Sequence, residues 1–195
     1  MSKNNQFQCK VIIVTGAGTG MGADTAILLA ERGAKVAIVG RREAPLHEVE
    51  NWIQAAGSEA LVISADVSRP EDADRMVKET VEFFGALHGA VNNAGISSES
   101  YDLPELPYEL WEETIAVNLS SIFYCMRAEL PEIEKAGGGA IVNVSSVFAD
   151  RGLPCVQPTV PASMESEALR GQPLWTGQRE AFGSTSSSRV SSKLR

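Results

Sequence analysis

Positive charge, histidine, cysteine and long apolar runs are all scarce in these 195 residues. Lys and Arg number 17 against 25 Asp and Glu, a formal charge of −8. An excess of that sign repels phosphate backbones and anionic headgroups, so neither nucleic acid nor a membrane is an expected partner. No apolar stretch approaches the ~20 residues that a helix needs to cross a bilayer. The opening MSKNNQFQCK carries no apolar signal-peptide core. The three cysteines, Cys9, Cys125 and Cys155, share no metal-ligand spacing and leave one over in any disulfide scheme. Reduced thiols and a cytoplasmic location are the expectation. His47 and His88 lie far apart, which gives each a structural or surface role and predicts no metal site. Hydrophobic residues at 44% and charged residues at 22% are ordinary for a soluble globular domain.

What is present is organised around Lys10–Gly22, KVIIVTGAGTGMG. Val11 to Val14 form a short β-branched run, as expected of a strand buried on both faces. Thr15 opens a turn in which Gly16, Gly18, Gly20 and Gly22 alternate with Ala17, Thr19 and Met21. Ala23 to Arg32 follows as a predicted helix with Ala26, Leu28, Leu29 and Ala30 available for its buried side. Strand, glycine turn and helix together suit a pyrophosphate. Residues without a Cβ let backbone N–H groups approach it, and the helix N-terminus adds partial positive charge.

The same alternation continues down the chain. Lys35–Val39 reads as a second buried strand, and Glu43–Ala56 as a helix with Leu46, Val49, Trp52 and Ile53 at helical spacing. Ala60–Ser64 is the third strand. Pro70 starts a helix with Met76, Val77, Val81 and Phe84 inward and Gly85 as its stop. Leu87–Val91 is the fourth strand. A long helix is predicted from Tyr108 to Glu134, with a kink or restart at Pro131, and Ala140–Val144 is the fifth strand. Strands alternating with helices imply an α/β fold, a doubly wound parallel sheet with helices on both faces.

The T-G-x-x-x-G-x-G spacing of the turn resembles that of the short-chain dehydrogenase/reductase family. Further motifs of the family stand in order downstream. Asn92-Asn93-Ala94-Gly95 resembles its N-N-A-G element, Asn118 in IAVNLSS its proton-relay asparagine, and Ser146 in IVNVSSV its carbonyl-binding serine. The resemblance covers residues 8 to 155 and implies a Rossmann-like domain over 1–155. It further implies an NAD(P)-dependent oxidoreductase acting on a small-molecule alcohol or carbonyl, in a family that is usually homo-oligomeric. The cofactor would meet Gly16, Gly18, Thr19, Gly20, Met21 and Gly22 at the turn, with Asn93, Ala94 and Gly95 beside it. Asp66 and Val67 resemble the family's adenine-side contacts. The second strand ends in Gly40-Arg41-Arg42, with no acid to bind a ribose 2′-OH. Arg41 could instead meet a 2′-phosphate, which leans the choice towards NADP, although a solvated arginine pair reads equally well.

The family's tyrosine should follow Ser146 by thirteen residues and its lysine by four more; those positions hold Thr159 and Ser163. A threonine hydroxyl is far less acidic than a phenol, and serine offers no cation, so Ser146 and Asn118 stand without the acid/base pair. The texture changes too. Residues 156–195 hold eight serines and five basic against three acidic residues, and no apolar periodicity runs through them, so a disordered tail is expected. The sheet would then be truncated after strand five, and the chain would be a catalytically impaired enzyme or a non-catalytic nucleotide-binding remnant.

The genetic code accounts for the break. Joining the last codon base of each residue to the first two of the next permits Tyr at Pro158/Thr159. The following junctions permit Ser, Ala, Ser and Lys, and Met164/Glu165 forces Gly. That spells the family's Y-x-A-S-K-x-G at its own spacing, and it points to one base lost around codons 150 to 158. The expected outcome of sequencing the coding DNA is a Pro158 codon ending in T. Any other base there removes the tyrosine and the explanation with it.

Overall fold

β1 (Val11–Thr15) is buried along its whole length, as its run of branched apolar side chains requires. The computed structural model describes residues 5–97 and 101–146. In it β1 is the central strand of a five-stranded parallel sheet in the order β3-β2-β1-β4-β5. The other strands are β2 (Lys35–Gly40), β3 (Ala60–Ser64), β4 (Gly89–Asn92) and β5 (Ala140–Asn143). The connecting helices are α1 (Gly20–Glu31), α2 (Glu43–Ala55), α3 (Pro70–Phe84), α4 (Tyr108–Ile115) and α5 (Ser121–Lys135).

Alternate residues of β1 feed two separate cores. Ile12 and Val14 pack with Val36, Ile38 and with Leu46, Val49 and Ile53 of α2. Ile13 packs on the opposite face with Met76 and Val77 of α3 and with Cys125 and Ile133 of α5. Both faces of the sheet are therefore covered around β1, the condition for an all-parallel arrangement, while Val142 on β5 is exposed. The chain runs from β1 outward to β2 and β3, then returns to lay β4 on the other side of β1, with Ile13 opposite Ala90. That reversal opens a crevice at the carboxyl ends of β1 and β4, where ligands bind in sheets of this kind.

Several local expectations are corrected. α1 begins at Gly20, three residues before the expected Ala23, and its packing side is Gly22, Ala26 and Ala30. Small residues let the helix lie close to the sheet, and Leu28 is turned out at 47% exposure. Trp52 shares the spacing of Leu46, Val49 and Ile53 yet is 66% exposed, because it lies beside the apolar stripe of α2 and not in it. The expected long helix is interrupted by a π-helical turn at Ala116–Ser120. Pro131, where the interruption was expected, sits inside a continuous α5. β4 starts at Gly89, with Leu87 buried just before it.

His88 has a structural role: its Nδ1 accepts a hydrogen bond from the Val11 N–H at 3.1 Å. Burial, and then the charge of Lys10, hold its pKa below the usual histidine range. His47 is on the surface, paired with Glu50 at 2.9 Å. Among the described residues no helix is long and apolar enough to cross a membrane. Residues 156–195, with Thr159 and Ser163, lie outside the described residues, as does Cys155.

Two substitutions test the burial pattern. Ile38→Ala, at a fully buried position in β2, should cost about 2–5 kcal/mol in urea unfolding. Trp52→Ala should stay within about 0.5 kcal/mol of the parent. Equal losses at the two positions would overturn the assignment of Trp52 to the surface.

Candidate functional site

A single hydroxyl joins the two ends that form the crevice. Thr15 Oγ1 accepts hydrogen bonds from the backbone N–H groups of Asn93 at 3.0 Å and Ala94 at 3.1 Å. In return the Asn93 side-chain amide donates to the Thr15 carbonyl at 3.1 Å. The glycine turn after β1 is thereby fastened to the loop after β4. Gly16 is at φ +65°, and a Cβ there would come within 2.9 Å of the Ala94 Cα. A Cβ on Gly22 would run into the Gly16 carbonyl, so the first turn of α1 can rest on the loop only as glycine.

The N-terminus of α1 is left open. Thr19 stands at the cap in extended conformation but makes no side-chain capping hydrogen bond, and the first turn of α1 contains no acidic residue. α2 has Glu43 in its first turn and α3 has Glu71 and Asp72, while α5, which has no acid there, continues directly from the π-turn. The unclaimed N–H groups and positive dipole end of α1 suit an anion from outside the chain.

Around that terminus lies a cleft of about 360 Å³. Gly16, Gly18, Thr19 and Met21 form one wall, and Asn93, Ala94, Gly95 and Ile96 form the facing one. Arg41, Asp66 and Val67 close the far end, joined by Arg42 and Pro45. The structure thus brings the expected cofactor residues together, apart from Gly20 and Gly22, which shape the turn without lining the cleft. Asp66 is held firmly. Its Oδ1 accepts from the Ser68 N–H and hydroxyl at 3.1 and 2.7 Å, and its own N–H donates to Asp72 Oδ2 at 2.8 Å. That N–H, followed by the Arg75 guanidinium, keeps the Asp72 carboxyl below the usual carboxylate range.

Asn118 lies in the π-turn, where a widened helical turn re-aims its side chain. Its Oδ1 accepts from the Ile96 N–H at 2.8 Å and its Nδ2 donates to the Ile96 carbonyl at 2.9 Å. The amide is engaged at both ends with one backbone residue, fixing the cleft wall. Ser146 follows β5, half-buried and outside the cleft lining. β5 itself is tied on by the Val144 N–H donating to the Asn92 carbonyl at 2.9 Å.

Beneath the cleft lies a polar group that sequence reasoning missed. Asn92 Nδ2 donates to Glu129 Oε2 at 3.1 Å and to Asn143 Oδ1 at 3.0 Å, and all three side chains are buried. Burial pushes the Glu129 carboxyl up to about 7, opposed by the hydrogen bond from Asn92. The one available signal was a glutamate in the Cys125–Glu129–Ile133 stripe of an otherwise apolar helix face. Thr15 was also missed, since its partners are 78 and 79 residues away.

The fold and cleft define a doubly wound, Rossmann-like α/β domain with its crevice at the reversal of strand order. The chain belongs to the short-chain dehydrogenase family, whose model matches residues 10–158. It is 42% identical over 159 residues to a cyclohexanol dehydrogenase from Acinetobacter, covering 82% of this chain and 63% of that protein. A 3β-hydroxysteroid dehydrogenase from Mediterraneibacter gnavus is 40% identical over 149 residues, covering 76% of this chain and 54% of its own length. Among solved structures, NAD+-bound xylitol dehydrogenase superposes with a TM-score of 0.81 at 27% identity, over 84% of this chain and 63% of that one. The chain therefore spans less than two thirds of the length of these relatives.

Thr15→Val keeps the side-chain shape and removes the acceptor for two N–H groups. Unpaired groups of this kind cost about 1–3 kcal/mol each, so the variant should lose ~2 kcal/mol or more in chemical denaturation, while Thr15→Ser loses far less. Equal stability of the valine and serine variants would show that the hydroxyl is not what fastens the two loops.

Proposed function

We propose that the cleft binds NAD(P) and that the chain descends from an oxidoreductase interconverting an alcohol and a carbonyl, with the chemistry itself impaired here. The observation that carries the reading is the N-terminus of α1, with no side-chain cap and no acid in its first turn, at a turn where Gly16 and Gly22 leave no room for a Cβ. A dinucleotide would lay its pyrophosphate there, against Gly18, Thr19 and Met21, with its adenosine towards Asp66 and Val67 and its nicotinamide towards Asn93, Ala94 and Gly95. The relation to NAD+-bound xylitol dehydrogenase supports the cofactor class. The position of Arg41 at the far end of the cleft, with no acid after β2, favours a 2′-phosphate and hence NADP.

When bound, the nicotinamide supplies the hydride. In this chain Ser146 would orient the carbonyl oxygen, and Asn118, its amide committed to Ile96, would hold the wall against which the ring rests. A proton must also reach the carbonyl oxygen. At the family's tyrosine and lysine positions stand Thr159 and Ser163, neither of which supplies an acid near neutral pH. A shifted reading frame explains both residues at once. The molecule as written is then a nucleotide binder without turnover, derived from a cytoplasmic, homo-oligomeric enzyme of small-molecule alcohols.

Fluorescence titration with NADH and NADPH tests this. Both should bind, NADPH more tightly, and Arg41→Ala should erase the difference. No alcohol should be oxidised by the chain as it stands, whereas the restored frame should turn over. Failure to bind either nucleotide would overturn the cofactor reading. Steady turnover with Thr159 and Ser163 in place would overturn the impairment.

A further inference from the structure

The buried group under the cleft contains two oxygens that its hydrogen bonds leave over. Both hydrogens of Asn92 Nδ2 are spent, one on Glu129 Oε2 and one on Asn143 Oδ1. Asn92 Oδ1 and Glu129 Oε1 have no hydrogen-bond partner among the described residues. Both belong to side chains already in contact, and both are acceptors when the carboxyl is ionised. One proton on Oε1 changes that count. A carboxylic acid facing a primary amide can accept through one oxygen and donate through the other, satisfying both orphans in a cyclic pair.

We propose that Glu129 is kept as a neutral carboxylic acid and acts as a positioning residue for the nucleotide cleft, bracing the carboxyl ends of β4 and β5 through Asn92 and Asn143. The placement supports this. Asn92 directly precedes Asn93, which is fastened to Thr15, and the Asn92 carbonyl receives the Val144 N–H that leads towards Ser146. Among the described residues none offers an ionised Glu129 a countercharge. On its own helix the titratable neighbour is Cys125, one turn back, whose thiol burial pushes up first and the Glu129 charge second. α3 turns Ala73, Met76, Val77 and Thr80 inward, none of them ionisable. β4 and β5 contribute the two asparagines. With its carboxyl pushed up to about 7, the neutral form stabilises the fold fully below the ordinary carboxylate range. That contribution fades as pH rises through about 7. Ionisation would loosen Asn92 and, with it, the wall of the cleft.

The inference rests on the cofactor reading, and the test separates the two. Full-length parent and Glu129→Gln are compared at about pH 6 and about pH 8.5 by NADH titration and by thermal unfolding. Glutamine reproduces the neutral acid, with a donor for Asn92 Oδ1 and an acceptor for Nδ2, and does not titrate. At the lower pH the two should bind alike. At the higher pH the parent should weaken ~10- to 30-fold, from a carboxyl about 1.5 pH units past its midpoint, while the variant holds its affinity. The parent should also show the infrared carbonyl band of a protonated carboxylic acid at the lower pH and lose it at the higher, a readout that needs no variant. Parallel pH profiles in binding and unfolding, or no such band, overturn the proposal. NADH bound by neither protein at either pH overturns the cofactor reading and the bracing of a nucleotide site. A pH-dependent gap between the unfolding midpoints would then still establish the neutral acid.

Discussion

The Thr15 hydroxyl is the interaction on which the rest of the crevice depends. Parallel strands end at their carboxyl edge as separate loops, and nothing in the sheet ladder itself holds the loop after β1 against the loop after β4. One side-chain oxygen accepting two N–H groups does so, because it satisfies donors that would otherwise be left in a half-buried turn. The close approach it enforces is what makes Gly16 obligatory, and Gly22 in turn rests on the Gly16 carbonyl and the Asn93 amide. The glycines are thus a consequence of the clamp as much as an accommodation for a ligand.

Electrostatics divides the cleft along its length. Around the glycine turn stands an unneutralised helix dipole, and at the far end are the arginines 41 and 42 with the acidic Asp66, which Ser68 fixes. A chain with a formal charge of −8 concentrates positive potential where an anionic nucleotide would lie and keeps Asp72 and Glu79 of α3 tied to Arg75 and, for Asp72, to backbone. Focusing of this kind needs low-dielectric walls, and the two apolar cores behind the sheet provide them.

How much of this was legible depended on the range of the interaction. The strands, α3 with its Gly85 stop, and the glycine turn are local patterns, and sequence spacing located them closely. Of the residues lining the cleft, those of the glycine turn were legible as a phosphate cradle, while Asp66, Val67, Asn93, Ala94 and Gly95 were legible only because their motifs resemble a family. Trp52 misled because an aromatic at the edge of an apolar stripe has the same spacing as one inside it. Pro131 misled in the opposite direction: a break was expected where the helix continues, and the actual interruption around Asn118 carries no proline or glycine. Thr15, Asn92, Glu129 and Asn143 escaped because their partners lie 37 to 79 residues away. No window of sequence holds both ends of such a bond.

The π-turn at Ala116–Ser120 also separates two functions of one helical rod. A π-turn closes i→i+5 bonds where an α-helix closes i→i+4, so it holds one residue more than the turn it replaces. The buried stripe nevertheless continues through it, from Thr114 and Val117 to Ser121, Cys125, Glu129 and Ile133. Removing one residue there would restore an unbroken helix and take away the bulge that aims Asn118 at Ile96. The rod that seats on the sheet and the turn that shapes the cleft wall are therefore separable at this point.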